Sequence, residues 1–331
     1  MDCVIPGHAV RPFCSSIGCL SRIGKDLYLE FDVIEGLSLR TINDGKSAFA
    51  CFRFESSFFE RCTAPPLSSR VKKRRRESSQ ESQTDEDRFS CRASLRALAA
   101  VVKPRKGVAG LRIKSEIIAD ALFLSFEFQI QHQDAVMTVV HRMKAADATG
   151  VTPVAPTEDA SEIRSSPKVL LRLLEPLKNT NQAALVIRND AQCVSASSFH
   201  HTDAATTTSQ NAVLQATHAS ILKTETAVGC DEFYEFDFHQ NRSREDDENQ
   251  NIPEDVNSEV ILVFSIKEAK SMLQYCSQSH LDHELDATLF FHWGGRPLVL
   301  DAQGDSLSAR LVLATLDHEL LKPLHGTQTD S

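Results

Sequence analysis

The sequence predicts an α+β protein built as two tandem modules, each rich in strands and carrying two short helices. Three observations carry this expectation. At 331 residues the chain is long enough for about two ordinary domains. Its apolar residues fall mostly in short alternating runs bounded by turn residues, while four stretches follow a helical period instead. One stretch rich in Pro, Thr, Ala and acid, 145–166, divides the chain, and beyond it the same rhythm of strands and helices returns.

The first module is expected at 1–144. Cys3–Pro6 reads as a short strand. A helix follows with Ala9, Val10, Phe13, Ile17 and Leu20 in one stripe. Proline is tolerated in a first turn only, so this helix should begin close to Pro12. Residues 26–31, 36–43 and 47–55 read as successive strands, separated by the turn signals Glu35-Gly36 and Asn43-Asp44-Gly45, and Phe58-Phe59 closes the block. Residues 63–88 break the pattern. Proline, serine, glutamine and charge without apolar periodicity cannot offset the entropy of ordering, so this segment reads as an inserted mobile loop. A second helix is expected where Cys91, Leu95, Leu98 and Val102 fall at spacings of four, three and four. Strands at 110–116, 121–131 and 135–142 complete the module.

After the connector, 145–166, a second module is expected at 167–318. A helix over 167–174 ends near Pro176. Strands follow at 184–189, 193–199, 213–222 and 231–238, then a polar insertion at 241–257 and a strand at 259–266. The fourth helix places Ala269, Met272, Leu273 and Cys276 on one face, and strands at 287–293, 297–302 and 309–316 finish the module before a short tail, 319–331.

No run of ~18 apolar residues exists, so no membrane contact is expected. The amino terminus lacks a basic segment followed by an apolar one, which argues against secretion. Cys3, Cys14, Cys19, Cys51, Cys62, Cys91, Cys193, Cys230 and Cys276 are scattered and odd in number, and are expected as reduced thiols of an intracellular protein. Enzymatic motifs are missing. Gly45-Lys46-Ser47 would need a glycine five residues before Gly45 to cradle a phosphate, and Arg40 stands there. Paired CxxC spacing is absent, so no zinc knuckle and no cofactor are expected. His280 and His283 could share one side of a turn as metal ligands but read better as solvated. Asp282, Glu284, Asp286, Asp301 and Asp305 supply the carboxylates of an imagined two-metal nuclease, with nothing to fix them at bridging distance.

A net charge of −9 argues superficially against nucleic acid, but the charges separate along the chain. On the expected helices, Arg88, Arg92 and Arg96 recur every fourth residue with Lys103 beyond; Arg11 and Arg22 lie off the apolar stripe of the first; Lys168 and Arg172 are four apart; Lys267 and Lys270 are three apart. Solvated helix faces usually mix signs to gain pairs one turn apart. Four helices leaning basic in an acidic chain suit contact with phosphates, which needs charge and no base-reading side chain. The inserted loop holds Lys72, Lys73, Arg74, Arg75 and Arg76, read as a nuclear import signal, and after it Ser79-Gln80 and Ser82-Gln83, which match the serine-glutamine preference of damage-checkpoint kinases. Ser78 and Ser82 also suit acid-directed kinases.

Leu20-Ser21-Arg22-Ile23-Gly24, Leu27-Tyr28-Leu29-Glu30, Gly36-Leu37-Ser38-Leu39-Arg40-Thr41, Ser47-Ala48-Phe49-Ala50-Cys51-Phe52 with Phe58-Phe59, and towards the other end Gly295-Arg296-Pro297 and Val312-Leu313-Ala314-Thr315-Leu316, resemble the Rad-nine subunit family of the nine-one-one DNA-damage checkpoint clamp. The resemblance implies a fold like that of the replication clamp: two tandem modules, antiparallel sheets outside, and four short helices lining a hole. It implies a nuclear, non-catalytic subunit of a heterotrimer closed with two other clamp subunits. The ring would encircle double-stranded DNA without sequence preference and dock a clamp loader and repair or checkpoint proteins. The stretch Val151–Ile163 would be the docking edge. A 3′-to-5′ exonuclease has also been credited to the family, and the acidic turns leave formal room for it. The family usually continues into a long phosphorylated tail; this chain stops at Ser331, which narrows the signalling role the resemblance implies.

Overall fold

The computed structural model describes residues 1–63, 88–132, 135–178, 180–199, 224–239, 259–278 and 285–316. The import run Lys72–Arg76, the serines Ser78, Ser79 and Ser82, the insertion 241–257, the strand expected at 213–222, the tail 319–331, and His280, Asp282, His283 and Glu284 lie outside the described residues.

Among the described residues the first half forms β1 (Asp2–Pro6), α1 (Gly7–Ile23), β2 (Asp26–Asp32), β3 (Gly36–Ile42), β4 (Ala48–Phe54), a 3-10 turn (Ser56–Phe58), β5 (Arg61–Thr63), β6 (Arg88–Ser94), α2 (Leu95–Val101), β7 (Val108–Ile118), β8 (Ala121–His132) and β9 (Ala135–Ala145). The second half forms β10 (Ser161–Ser165), α3 (Pro167–Leu174), β11 (Gln182–Arg188), β12 (Cys193–Phe199), β13 (Glu225–Gly229), β14 (Glu235–Asp237), β15 (Glu259–Ser265), α4 (Ile266–Cys276), β16 (Ala287–Phe291), β17 (Leu298–Gln303) and β18 (Leu307–Leu313).

The strands make three antiparallel sheets, ordered β5-β1-β7-β8-β9, β14-β10-β16-β17-β18-β4-β3-β2-β6 and β13-β12-β11-β15. The nine-stranded sheet runs through both halves, which meet where β18 pairs with β4 from Leu307↔Phe54 to Leu313↔Ala48. Local chemistry explains the turns that hold this register. Gly36 sits at φ +88°, and a Cβ there would lie 2.1 Å from the Phe54 carbonyl oxygen, so only glycine fits. Asn43 Oδ1 accepts from the Ser47 and Ala48 amides, closing the β3–β4 turn around Lys46 at φ 53°.

The helices pack side by side in one layer, in the order α2-α1-α4-α3. Their apolar stripes meet the sheets in a single core that spans both halves. Phe13 meets Phe54 in a tilted contact at 5.4 Å, Phe54 meets Phe58 likewise at 4.6 Å, and Phe52 meets Tyr275 of α4 edge-on at 4.6 Å. Each of these rings is almost fully removed from water, which makes the core the main source of stability.

Several expectations are corrected. The first helix begins at Gly7 and not beside Pro12, because β1 pairing with β7 ends at Pro6 and the chain turns there; Pro12 lies in the second turn, buried. The helix expected from Cys91 starts only at Leu95, where Ser94 Oγ accepts from the Ala97 amide. Residues 88–94 are strand β6, paired with β2. The spacing misled because residues four apart share a face in a strand as well as in a helix. Within the expected connector, Ser161–Ser165 is strand β10, paired with β14 and β16. The strand expected at 231–238 shrinks to Glu235–Asp237 behind a 3-10 turn, and β13 was not anticipated. Finally, Cys3 and Cys62, directly opposite in the β1–β5 pair, form a disulfide where reduced thiols were expected.

Candidate nucleic-acid interface

The solvent face of the helix layer is built from what the helices do not bury. On α1, Ala9, Val10, Phe13, Ile17 and Leu20 point into the core, which leaves His8, Arg11 and Arg22 outside. On α2, Leu95 and Leu98 are buried and Arg96 is exposed. On α3, Ser166 caps the first turn with Pro167 at the start, and the buried leucines leave Lys168 and Arg172 in water. On α4, Lys267 is exposed and Lys270 half-buried.

The helices themselves expose no carboxylate. Helices α1, α2 and α3 contain no Asp or Glu. The single acid of α4, Glu268, is buried and accepts hydrogen bonds from Ser265 Oγ and Asn43 Nδ2. Arg11, Arg96 and Lys267 have no ion pair among the described residues, Arg22 donates to the neutral Gln274 amide oxygen at 2.8 Å, and Lys270 donates to the Leu177 carbonyl at 3.1 Å. Burial is the chief cause that pulls the Lys270 ammonium below its ordinary range; Glu175 works against it and Lys178 with it. Arg172 is engaged by an acid from elsewhere, Glu232 at 2.8 Å.

Two arginines expected on this face are not there. Arg88 and Arg92 stand on β6, on the side turned away from the helices, with Arg92 opposite Tyr28 and Arg88 Nε 3.0 Å from Asp32. Lys103 is exposed in the turn after α2.

No group of three metal-ligating side chains comes together among the described residues. Asp301 is held in a two-pronged pair by Arg310, at 2.8 and 2.5 Å. Burial pushes the Cys14, Cys91 and Cys276 thiols up to about 12.

Two further surfaces flank the helix layer, and neither has a periodic signal in the sequence strong enough to single it out. The connector crosses the outer face of the sheet, tied by the Gly150 amide to Glu30 at 3.0 Å and by Arg40 to Thr152 at 2.9 Å. Ala155 packs on Phe49, Val299 and Val312 over the join of the two halves. Val151 and Val154 stay exposed, while Ile163, expected on the same docking edge, is buried in β10. Strand β9 is the outermost of its sheet and exposes Val136, Met137 and Val140.

The Rad9 family model matches residues 13–316. The chain is similar in structure to PCNA from Thermococcus kodakaraensis, with a TM-score of 0.61 and 12% identity over 95% of this chain and 99% of that one. It is similar to the PCNA2–PCNA3 complex of Sulfolobus tokodaii (0.60, 10%, 95% and 99%). A third likeness is to A. fulgidus PCNA carrying the C-terminal region of FEN-1 (0.57, 10%, 95% and 97%). The fold is that of a sliding clamp, with antiparallel sheets on one side and the four helices on the other.

Proposed function

The chain belongs to the Rad9 family, and on that premise we propose that it is a non-catalytic subunit of a heterotrimeric ring that encircles duplex DNA and supports checkpoint signalling and repair. One observation carries the proposal: the four helices bear Arg11, Arg22, Arg96, Lys168, Arg172, Lys267 and Lys270 towards solvent and contain no exposed acid of their own, inside a chain of net charge −9. A surface of that kind attracts phosphates of any sequence by counterion release.

Ring closure with two other clamp subunits would use sheet edges. Strand β9 has an open side with exposed apolar residues, the arrangement that accepts a neighbour's strand. The connector, with Val151 and Val154 exposed, would be the docking edge for loader, repair and checkpoint partners; a structurally similar clamp, A. fulgidus PCNA, is bound by the C-terminal region of FEN-1. Lys72–Arg76 would direct the chain to the nucleus, and Ser79 and Ser82 would take phosphate there.

Co-expression with the two other clamp subunits tests the proposal. The expected result is a one-to-one-to-one complex that stays on closed circular DNA and slides off once the circle is linearised. A chain that elutes alone, or a complex released equally from circle and line, overturns it.

A further inference from the structure

Among the described residues, the turn from α2 to β7 is a strongly charged exposed segment that the helix faces leave unexplained. It presents Lys103, Arg105 and Lys106 in four residues, all exposed, and none has an ion pair among the described residues. The turn is held in shape. Gly107 adopts φ +71°, and its carbonyl accepts from the Gln131 amide at 2.8 Å, docking the turn on β8. Arg105 lies over the Phe128 ring at 5.3 Å, and its guanidinium reaches the Val101 carbonyl at 3.5 Å. Phe128 is a buried ring of the core that the helices share, so Arg105 packs on the edge of that core.

The start of α1 lies beside the same strand. A Cβ at Gly7 would come within 2.8 Å of the Val108 carbonyl, so His8 and Arg11 leave α1 next to this turn. The basic tract of α1 and α2 therefore continues without an intervening helix acid to the rim of the first half. The sequence that follows α4, residues 277–286, has Asp282, Glu284 and Asp286 and neither lysine nor arginine.

We infer that Lys103, Arg105 and Lys106 form a rim site for the sugar-phosphate backbone of duplex DNA, so that the chain grips DNA harder on its first half than on its second. The inference rests on the DNA-encircling reading above and adds a place and an asymmetry to it. The competing occupant, an acidic surface of a neighbouring subunit, is a distinguishable outcome of the same experiment.

The test measures the affinity of the purified full chain for a blunt-ended mixed-sequence duplex as salt is raised. Each phosphate contact contributes roughly 0.9 to the slope of log affinity against log salt, so Lys103→Gln with Lys106→Gln should flatten the slope by about 1.8. The doubly charge-retaining variant, Lys103→Arg with Lys106→Arg, should restore it. Arg11→Gln with Arg96→Gln is the reference for the helix face. If the reference flattens the slope and the rim variant does not, the rim site is wrong and the helix-face reading stands. If neither does, the DNA reading itself fails. If the rim variant keeps its slope and instead loses co-purification with the other clamp subunits, the turn is a subunit contact and the inference is overturned.

Discussion

On the strand faces turned away from the helices, several guanidinium groups have carboxylates. Arg40 meets Glu30 at 3.0 Å, Arg88 meets Asp32 at 3.0 Å, Arg188 meets Glu259 at 2.6 Å and Arg310 meets Asp301 at 2.5 Å. On the other side of the same slab, Arg11, Arg96 and Lys267 point into water with no acid among the described residues. The difference teaches where an acidic protein can keep a positive surface. Cations paired across strands are spent on register and carry almost no field beyond their partner. The helix layer achieves the opposite by excluding Asp and Glu from its exposed positions, so its potential is set locally and not by net charge.

The comparison can be broken or sharpened at several levels. The largest effect is expected in the shared core: Phe52→Ala removes the ring that meets Tyr275 across the two halves and should cost about 3–5 kcal/mol, read as a lower urea midpoint, with both faces lost together. Next is the Cys3–Cys62 bond, which closes a loop with a sequence separation of 59. Cys3→Ser should lose about 2–4 kcal/mol under non-reducing conditions, and reductant should bring the parent chain to the same midpoint.

The faces themselves separate by single charge reversals. Arg96→Glu should weaken duplex binding and flatten its salt dependence by about one contact, while Arg92→Glu, on the opposite face, should leave both unchanged at equal thermal stability. An equal effect at the two positions would dissolve the distinction between the faces. Smaller still, Arg310→Gln should change stability by under about 1 kcal/mol and leave DNA binding alone, because the pair with Asp301 is half in water.

The smallest effect concerns acid. The hydrogen bond from Arg112 is the chief influence holding the Asp2 carboxyl below its ordinary range. A depressed carboxylate stabilises the fold above its unfolded value of about 3.9 and loses that contribution as pH falls through the folded value. Asp2→Asn should therefore melt slightly below the parent chain at neutral pH, and the gap should close in acid.

Much of the fold was legible because the code of period two is strong where one strand face is buried. Leu27, Leu29 and Phe31 alternate with Tyr28, Glu30 and Asp32, and the β3–β4 turn announces itself in Asn43-Asp44-Gly45. What failed did so for a physical reason. Cys91 and Leu95, and likewise Arg88 and Arg92, stand four apart, a spacing that both periodicities satisfy; only pairing with β2 decides between them, and pairing is a long-range property. The disulfide was hidden for the same reason, since nothing local brings Cys62 opposite Cys3. Of the candidate site, the cations of α1, α3 and α4 were readable from helical phase. Arg105 was not, because its position depends on Phe128, which lies on another strand.

The seam at β4 and β18 has a mechanical consequence. A ladder from Leu307↔Phe54 to Leu313↔Ala48 joins the halves by main chain as well as by core, and bending there would tear hydrogen bonds in series. The chain is thus a stiff plate in the plane of its largest sheet. In an assembly of such plates, compliance concentrates at the boundaries between chains, and a ring made from them would open at a joint and not by folding a subunit in two. Amide exchange should then be slowest along β4 and β18 and fastest along the bare side of β9.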